Sequence, residues 1–341
     1  MIAIGIDTHK ATLAACAVDE LGQPLAERTF DNDPVGHRAL LAWADETLPG
    51  ARIGLEGSAG FGAAAARFLI AAGREVREVP PQLSHRERQR TRRAGKTDPG
   101  DALAIARVTA READLPPVRL ADPTREIGLL VEAREDLVVE ATRVRNRLHA
   151  DLVVLVPGYG ASAANLVAER HRRTVGRLLR SLPGVQAELA RGRLNRLGRL
   201  VIEAKALEDR LASLVGDHPL RSLPGAGVLV TAKLIGEAGD LDRFRSADAF
   251  AMLAGVSPIP ASSGQIQRMR LNRGGNRQLN RALHTIALAQ AWHHPPAKEY
   301  IARKRAEGKT WREALRALKR HLARVVFKLL VGPIEVARQA A

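Results

Sequence analysis

Two aspartates spaced three residues apart are the first candidates for chemistry in this sequence. They lie in Lys96-Thr97-Asp98-Pro99-Gly100-Asp101, which is typical of a helix start, because aspartate caps the first N–H groups and proline fits the first turn. Asp98 and Asp101 would then share one face of that turn. Two neighbouring carboxylates repel each other unless a cation lies between them. The pair therefore indicates either a capped, solvated helix start or a cation site.

Two further acids end apolar runs that are typical of β-strands. Asp7 closes residues 2–7 and Glu56 closes residues 52–56. Other strands are predicted at 12–18, 25–30 and 74–79, with helices at 34–48 and 58–72. The order β-β-β-α-β-α-β-α is that of the ribonuclease H-like fold, in which acids at the ends of the first and fourth strands lie side by side. We therefore expect an α/β N-terminal domain that gathers Asp7, Glu56, Asp98 and Asp101.

The charge balance favours nucleic acid as the partner. The chain carries 53 Lys and Arg residues against 37 Asp and Glu, for a net charge of +16. The residues predicted to contact nucleic acid form two tracts, Arg86, Arg88, Arg90, Arg92, Arg93 and Lys96 before the aspartate pair, and Arg268, Arg270, Arg273, Asn276 and Arg277 further on. A charge run is often only a solvated face, but the first tract would gather a polyanionic backbone beside the acids. Aromatic residues make up only 3% of the chain, which excludes an aromatic stacking platform.

Other function classes are excluded by what the sequence lacks. Cys16 is the single cysteine, which excludes an internal disulfide and a cysteine-based zinc site. No run approaches the 18 apolar residues of a membrane-spanning helix, and the N-terminus lacks the charged start of a signal peptide. We therefore expect a cytoplasmic protein, bound to the nucleoid when it holds DNA.

Three regions follow from the changes in pattern. Residues 1–122 form the α/β domain, and residues 123–216 carry apolar residues at alternating three- and four-residue steps, as in a coiled-coil arm. That arm could be a hairpin within one chain or a dimer interface. Residues 217–341 are predicted to be mostly helical, and Leu223-Pro224-Gly225-Ala226-Gly227-Val228 suits a helix-hairpin-helix that meets a DNA phosphate through backbone N–H groups.

Taken together, these motifs resemble the DEDD-type transposases of bacterial insertion sequences, the IS110 family, over nearly the whole chain. The N-terminal marks are Gly5-Ile6-Asp7-Thr8-His9-Lys10, Leu55-Glu56-Gly57-Ser58 and Lys96-Thr97-Asp98-Pro99-Gly100-Asp101-Ala102. The C-terminal marks are Leu223-Pro224-Gly225-Ala226-Gly227, Gly236-Glu237-Ala238-Gly239-Asp240 with Arg243-Phe244, Gly255-Val256-Ser257-Pro258, Ser262-Ser263-Gly264 and Gly275-Asn276-Arg277.

The resemblance implies a RuvC-like N-terminal domain whose four acids bind Mg²⁺ or Mn²⁺, and a transposase domain with a catalytic serine. Ser263 is the better candidate for that nucleophile, because the following glycine leaves room for a DNA strand, and Ser262 is the alternative. The resemblance also implies donor and target DNA, a structured guide RNA encoded by the element, and assembly as a homodimer or homotetramer. Because the arm separates the serine from the acids, we expect Ser263 of one protomer to act with the acids of another.

Three other functions remain open at this point. The first is a RuvC-like endonuclease that cuts structured DNA by hydrolysis. The second is an ATPase of the actin and sugar-kinase type, since Ile4-Gly5-Ile6-Asp7-Thr8 is similar to its first phosphate loop, although no second glycine-rich loop is present. The third is a nucleic-acid-binding protein without catalysis, in which the acids are only solvated.

Overall fold

The computed structural model describes residues 1–58, 60–90, 98–118, 123–261 and 269–339. For Asp98 and residues 333–339 it describes the backbone alone. The chain divides into two compact units, Met1–Ala121 and Asp122–Ala341. Within its described part, no helix is both long enough and apolar enough to cross a membrane.

The N-terminal unit is built on a five-stranded sheet with the strand order β3-β2-β1-β4-β5. The strands are β1 (Ala3–Thr8), β2 (Thr12–Val18), β3 (Pro24–Asp31), β4 (Arg52–Leu55) and β5 (Val76–Glu78). The first three pair antiparallel, as the sequence predicts, while β4 runs parallel to β1 and β5 runs parallel to β4. Parallel pairing brings the carboxyl ends of β1, β4 and β5 to one edge of the sheet.

Four helices cover the two faces of this sheet. They are α1 (Pro34–Thr47), α2 (Ala63–Ala71), α3 (Pro81–Arg90) and α4 (Asp98–Arg111). Ile4, Ile6 and Leu55 point from the sheet into a core shared with α1 and α2, whereas Ala14 and Cys16 pack against α4 on the opposite face. The helix predicted to start near residue 98 is present, whereas α3 was not predicted.

Two paired glycines let α4 lie directly against the sheet. Gly5 of β1 is the register partner of Gly54 of β4. A Cβ atom on Gly5 would come within 2.1 Å of the backbone nitrogen of Ala106, and one on Gly54 within 1.7 Å of the Thr109 hydroxyl oxygen. The absence of side chains at these two positions therefore sets the depth at which α4 packs.

In the second unit, two long helices pack against each other within one chain. The arm consists of α5 (Pro123–Leu155), α6 (Gly160–Ala163), α7 (Glu169–Arg180) and α8 (Val185–Val215). Helices α5 and α8 are antiparallel, and four ion pairs join them: Glu126–Arg210, Arg134–Glu208, Glu140–Arg196 and Asp151–Arg193. Of the two arrangements that the sequence leaves open for the arm, the single chain forms the hairpin.

The rest of this unit is helical. It contains α9 (Val228–Ala238), α10 (Ala247–Leu253), α11 (Arg277–His293), α12 (Pro295–Ala306) and α13 (Trp311–Gln339), with a two-stranded ribbon of β6 (Ile259–Pro260) and β7 (Met269–Arg270). Phe250 is fully buried at the centre of their shared core. Only a four-residue 3-10 helix, Pro219–Ser222, precedes the predicted helix-hairpin-helix turn. Gly225 of that turn packs against α11, where a Cβ atom would lie 2.7 Å from the Ala289 methyl carbon.

Candidate active site

Asp7, in β1, and Glu56, the residue directly after β4, lie beside each other. Ile6 is the register partner of Leu55, so the residues that follow them, Asp7 and Glu56, lie opposite each other. The Glu56 N–H donates to the Ile6 carbonyl oxygen at 3.4 Å. Side chains alternate between the two faces of a strand. Because Gly5 and Gly54 face α4, the residues two positions further on, Asp7 and Glu56, face α4 as well.

The loop after Glu56 is held by short-range contacts that explain part of the local sequence. The Thr8 hydroxyl donates to the Glu56 carbonyl oxygen at 2.9 Å. Gly57 has a φ of +81°, a left-handed conformation that glycine adopts without strain. The N–H groups of Gly57 and Ser58 then donate to the two carboxylate oxygens of Glu78, at 3.2 and 3.1 Å.

Glu78, at the end of β5, is a further acid at this edge and is not among the predicted site residues. Burial raises the pKa of its carboxyl group, and the negative charge of Glu56 adds to this effect, while the bonds from Gly57 and Ser58 lower the pKa. The Glu56 charge counts among these causes because the two acids lie close together. The signal that could have found Glu78 is its position at the end of a strand parallel to β4.

The direction of α4 brings Asp101 to the same edge. Near the end of α4, the carbonyl oxygen of Glu112 accepts a bond at 3.0 Å from Arg52, the first residue of β4. The middle of α4, at Ala102 and Ala106, lies over Gly5. The helix therefore runs antiparallel to β1 and β4, and its first turn lies at their carboxyl ends. Asp101, 4% exposed, is in that turn.

Two of these acids are contacted by α3. The Ser84 hydroxyl, fully buried, donates to Oε2 of Glu56 at 2.6 Å, and Nη1 of Arg88 pairs with Oδ1 of Asp101 at 3.1 Å. Ser84 and Arg88 are four residues apart and so share one helix face. Helix α3 is itself tied to α4 by Arg111, which pairs with Glu87 at 2.7 Å. The basic tract before the acids thus begins as a helix whose inner face contacts them.

The donor chemistry of this edge suits a hard divalent cation. Asp7, Glu56 and Asp101 offer carboxylate oxygens, the ligands that Mg²⁺ and Mn²⁺ prefer. The side chain of Asp98 lies outside the described residues, although α4 does begin at Asp98. Among the side chains that are described, no three acids, histidines or cysteines already converge as a set of ligands.

The structure describes only some of the other residues that were predicted to contact nucleic acid or to act as the nucleophile. Arg86 and Arg90 are exposed on α3, and Arg270, Arg273 and Arg277 are exposed around the ribbon and the start of α11. Asn276 has a role in the fold, since its Oδ1 caps α11 and its Nδ2 donates to Glu237 at 2.7 Å. Arg92, Arg93, Lys96, Arg268, Ser262 and Ser263 lie outside the described residues.

A cavity of about 830 Å³ is lined by residues that flank, in the sequence, the segment with the two serines. Pro258, next to β6, and Met269, in β7, both line it, and residues 262–268 connect these two strands. The cavity is also lined by Gly255, Val256 and Ser257 and by Asn272, Arg273 and Arg277. Several C-terminal motifs of the sequence therefore surround one cavity.

Comparison with known families gives two matches. The DEDD-type family model named for IS110, described as transposase, matches residues 4–157. A second model, the transposase IS116/IS110/IS902 family, matches residues 217–302. The first model thus covers the edge with the acids, and the second covers the cavity-lining residues from Gly255 to Asn280 but not those from Lys309 to Arg320.

Individual relatives match over almost the full chain. The 42 kDa protein of insertion element IS900 from Mycobacterium paratuberculosis is 28% identical, over 96% of this chain and 94% of its own length. The 43.6 kDa protein of insertion element IS110 from Streptomyces coelicolor is 28% identical, over 96% and 93%. The pilin gene-inverting protein of Moraxella bovis is 25% identical, over 96% and 95%.

Proposed function

This chain belongs to the IS110 family of DEDD-type transposases and is an enzyme of DNA transposition and recombination, and we propose that it uses two sets of residues for that reaction. Asp7, Glu56, Asp98 and Asp101 form a metal-binding cluster in a ribonuclease H-like, RuvC-like domain, and Ser263 is the nucleophile. The observation that carries the proposal is the meeting of Asp7, Glu56 and the first turn of α4 at one sheet edge.

The acidic edge binds and orients the group that activates the phosphodiester. A divalent metal, when bound by these carboxylates, neutralises negative charge that builds on the phosphate. Ser84 fixes the Glu56 carboxylate, and Arg88 supplies positive charge next to the buried Asp101. The N-terminus of α4 adds its partial positive charge to the same place, which favours carboxylates there.

Attack by a serine, in place of water, allows the cut strand to be rejoined. Its hydroxyl oxygen forms a new ester bond to phosphorus and loses its proton to solvent or a base. The bond from phosphorus to one deoxyribose oxygen breaks, and that oxygen leaves with the bonding electrons and takes up a proton to become a free hydroxyl. The cut strand stays attached through the phosphoserine ester, so rejoining to a second DNA end needs no outside energy source. Hydrolysis by water would lose this bond.

The partners follow from the family and from the relatives. Insertion-element proteins and a pilin gene-inverting protein are similar to this chain over nearly its full length, which supports donor and target DNA as substrates. We extend the proposal to a guide RNA encoded by the element, to a homodimer or homotetramer, and to the division into residues 1–122, 123–216 and 217–341. The exposed arginines of α3, α11 and the ribbon support nucleic-acid contact.

The test compares Asp7→Asn and Glu56→Gln with Glu46→Gln, a change of an exposed glutamate on α1. The first two variants should fold, lose metal-dependent strand cleavage, and lose the rise in melting temperature that Mn²⁺ gives the wild type. Glu46→Gln should keep both. If Asp7→Asn retains both the Mn²⁺ effect and cleavage, the acidic cluster is assigned wrongly.

A hydrolytic endonuclease is the alternative that keeps the same acids. The wild type should form a covalent protein–DNA adduct that survives denaturation, and Ser263→Ala should not form it. Ser262→Ala is the matched control and should still form the adduct. Efficient cleavage by Ser263→Ala would instead show that water is the nucleophile.

A further inference from the structure

The cavity of about 830 Å³, which residues of β7 and α13 line, is strongly cationic. Its charged lining residues are Arg273, Arg277, Lys309, Arg316, Lys319 and Arg320, against the single carboxylate of Glu313. That carboxylate is already used to cap α13, since its Oε2 accepts bonds from the Thr310 N–H at 2.9 Å and from the Thr310 hydroxyl at 2.7 Å. The charges of Arg316 and Lys309 also act on this carboxylate, but one acid cannot balance six cations, so the cavity keeps an excess of positive charge.

Three of these cations come from one face of α13. Arg316, Lys319 and Arg320 are spaced three and four residues apart, so their side chains are neighbours on the helix surface. Like charges at this spacing destabilise a helix unless an anion lies between them. Among the described residues, neither Arg316 nor Lys319 forms an ion pair with a carboxylate.

Lys319 is the most buried of the three, with an exposed fraction of 9%. Its ammonium donates to Oδ1 of Asn280 at 2.9 Å, and the Asn280 amide is oriented because its Nδ2 donates to the Ala254 carbonyl oxygen at 2.9 Å. Burial lowers the pKa of Lys319, and the charge of Arg316 lowers it further. A buried ammonium with one neutral acceptor is costly without an anion.

The remaining features suit a phosphate that carries a sugar and a base. Nε of Arg320 is buried and has no hydrogen-bond partner among the described residues. Met269 and Leu271, 69% and 54% exposed, add apolar surface to the lining. A volume of about 830 Å³ exceeds what a lone inorganic anion needs and falls within the range of ligand sites.

We propose that this cavity holds a backbone phosphate of the DNA strand that the serine attacks, with Arg316, Lys319 and Arg320 contacting the phosphate oxygens. The proposal rests on the proposed function, because the serine segment lies in the sequence between β6 and β7, and Pro258 and Met269 on either side of it line this cavity. None of these three α13 residues belongs to the basic tracts of the sequence analysis. Their role is to position the strand.

The test measures binding without chemistry. Full-length Ser263→Ala protein is titrated with a fluorescent donor-DNA oligonucleotide at several salt concentrations, alone and with Lys319→Gln or Arg316→Gln added. Each added change should weaken binding about tenfold. Each should also reduce the slope of log affinity against log salt by about 0.7–0.9, the value for one lost phosphate contact. Arg316 is exposed, so its variant is not expected to disturb the fold.

The matched control is Lys328→Gln, an exposed lysine on the same helix with the same change of charge. It should keep the parent affinity and slope. Equal behaviour of Lys319→Gln, Arg316→Gln and Lys328→Gln would overturn the proposal, as would a loss seen only with an RNA oligonucleotide of the same sequence. If the three variants behave equally and the wild type still forms the serine adduct, the phosphate site is contradicted but the proposed function is not. If Lys319→Gln or Arg316→Gln reduces the slope of log affinity against log salt but the wild type forms no serine adduct, the result supports the phosphate site and contradicts the serine chemistry.

Discussion

At the scale of single residues, neighbouring side chains hold the carboxylates of the acidic edge in place. Oε2 of Glu56 takes a short bond from a buried hydroxyl, and Asp101 takes an ion pair from Arg88. A buried carboxylate without such partners would be costly. Ser84 and Arg88 therefore stabilise the fold, and the same contacts orient the carboxylates of Glu56 and Asp101.

Ser84→Ala should reduce Mn²⁺ affinity about tenfold, since residues that orient metal ligands contribute at least this much. The lost bond to a charged group should also lower the free energy of unfolding by about 1.5–3 kcal/mol. Calorimetric titration with Mn²⁺ and chemical denaturation measure the two effects. Ser213→Ala removes an exposed serine hydroxyl on α8 and should change neither quantity. Unchanged Mn²⁺ affinity in Ser84→Ala would show that Glu56 needs no positioning partner.

The candidate site residues were predictable to different degrees. Asp7 and Glu56 follow from apolar runs that end in an acid, and Asp98 follows from a proline at a helix start. Glu78 could have been found from its position at the end of a predicted strand, whereas Ser84 could not be predicted, because its importance comes from the Glu56 carboxylate that it contacts in space. Asn276 is a prominent residue in the sequence, but its amide joins two helices of the fold.

At the scale of elements, the acidic edge depends on how closely α4 approaches β1. Atoms of the helix backbone occupy the space where a Gly5 side chain would lie. Backbone atoms cannot move aside as a flexible side chain can. The position of Asp101 relative to Asp7 is therefore set by a glycine, two residues before Asp7.

Gly5→Ala should displace α4, lower the free energy of unfolding by about 3 kcal/mol, and abolish the Mn²⁺-dependent rise in melting temperature. Gly192→Ala is the matched control, because a Cβ atom there meets nothing within 4 Å in the middle of α8. The control should stabilise the protein by about 0.5–1 kcal/mol. Denaturation curves with and without Mn²⁺ measure both effects, and a Gly5→Ala protein as stable as the wild type would contradict this packing argument.

Periodicity explains which elements could be predicted. The strands and α1 have regular apolar patterns, and their observed bounds differ little from the prediction. Helix α3 has no such pattern, because it buries Ser84 and Glu87 through contacts with β4 and α4. The apolar seam of α5 and α8 predicted two long helices but not their partner, since hairpin and dimer seams look alike in sequence.

At the scale of the whole molecule, the acids and the serine belong to different units of the chain. If both act on one phosphate, they need not come from the same protomer. We expect a mixture of Asp7→Asn and Ser263→Ala proteins, each inactive alone, to regain part of the strand cleavage on donor and target DNA with guide RNA. Adduct formation through the intact serine measures this. Mixed assemblies that exchange subunits yet stay inactive would place the site within one chain.

The antiparallel pairing of α5 with α8 also limits how this protein can diverge over generations. Its ion pairs run in opposite order along the chain, from Glu126–Arg210 to Asp151–Arg193. A heptad inserted into one helix alone would shift every later residue about 10 Å away from its partner. A heptad added to both helices would keep all four pairs. The arm can therefore lengthen or shorten in descendants only when both helices change together.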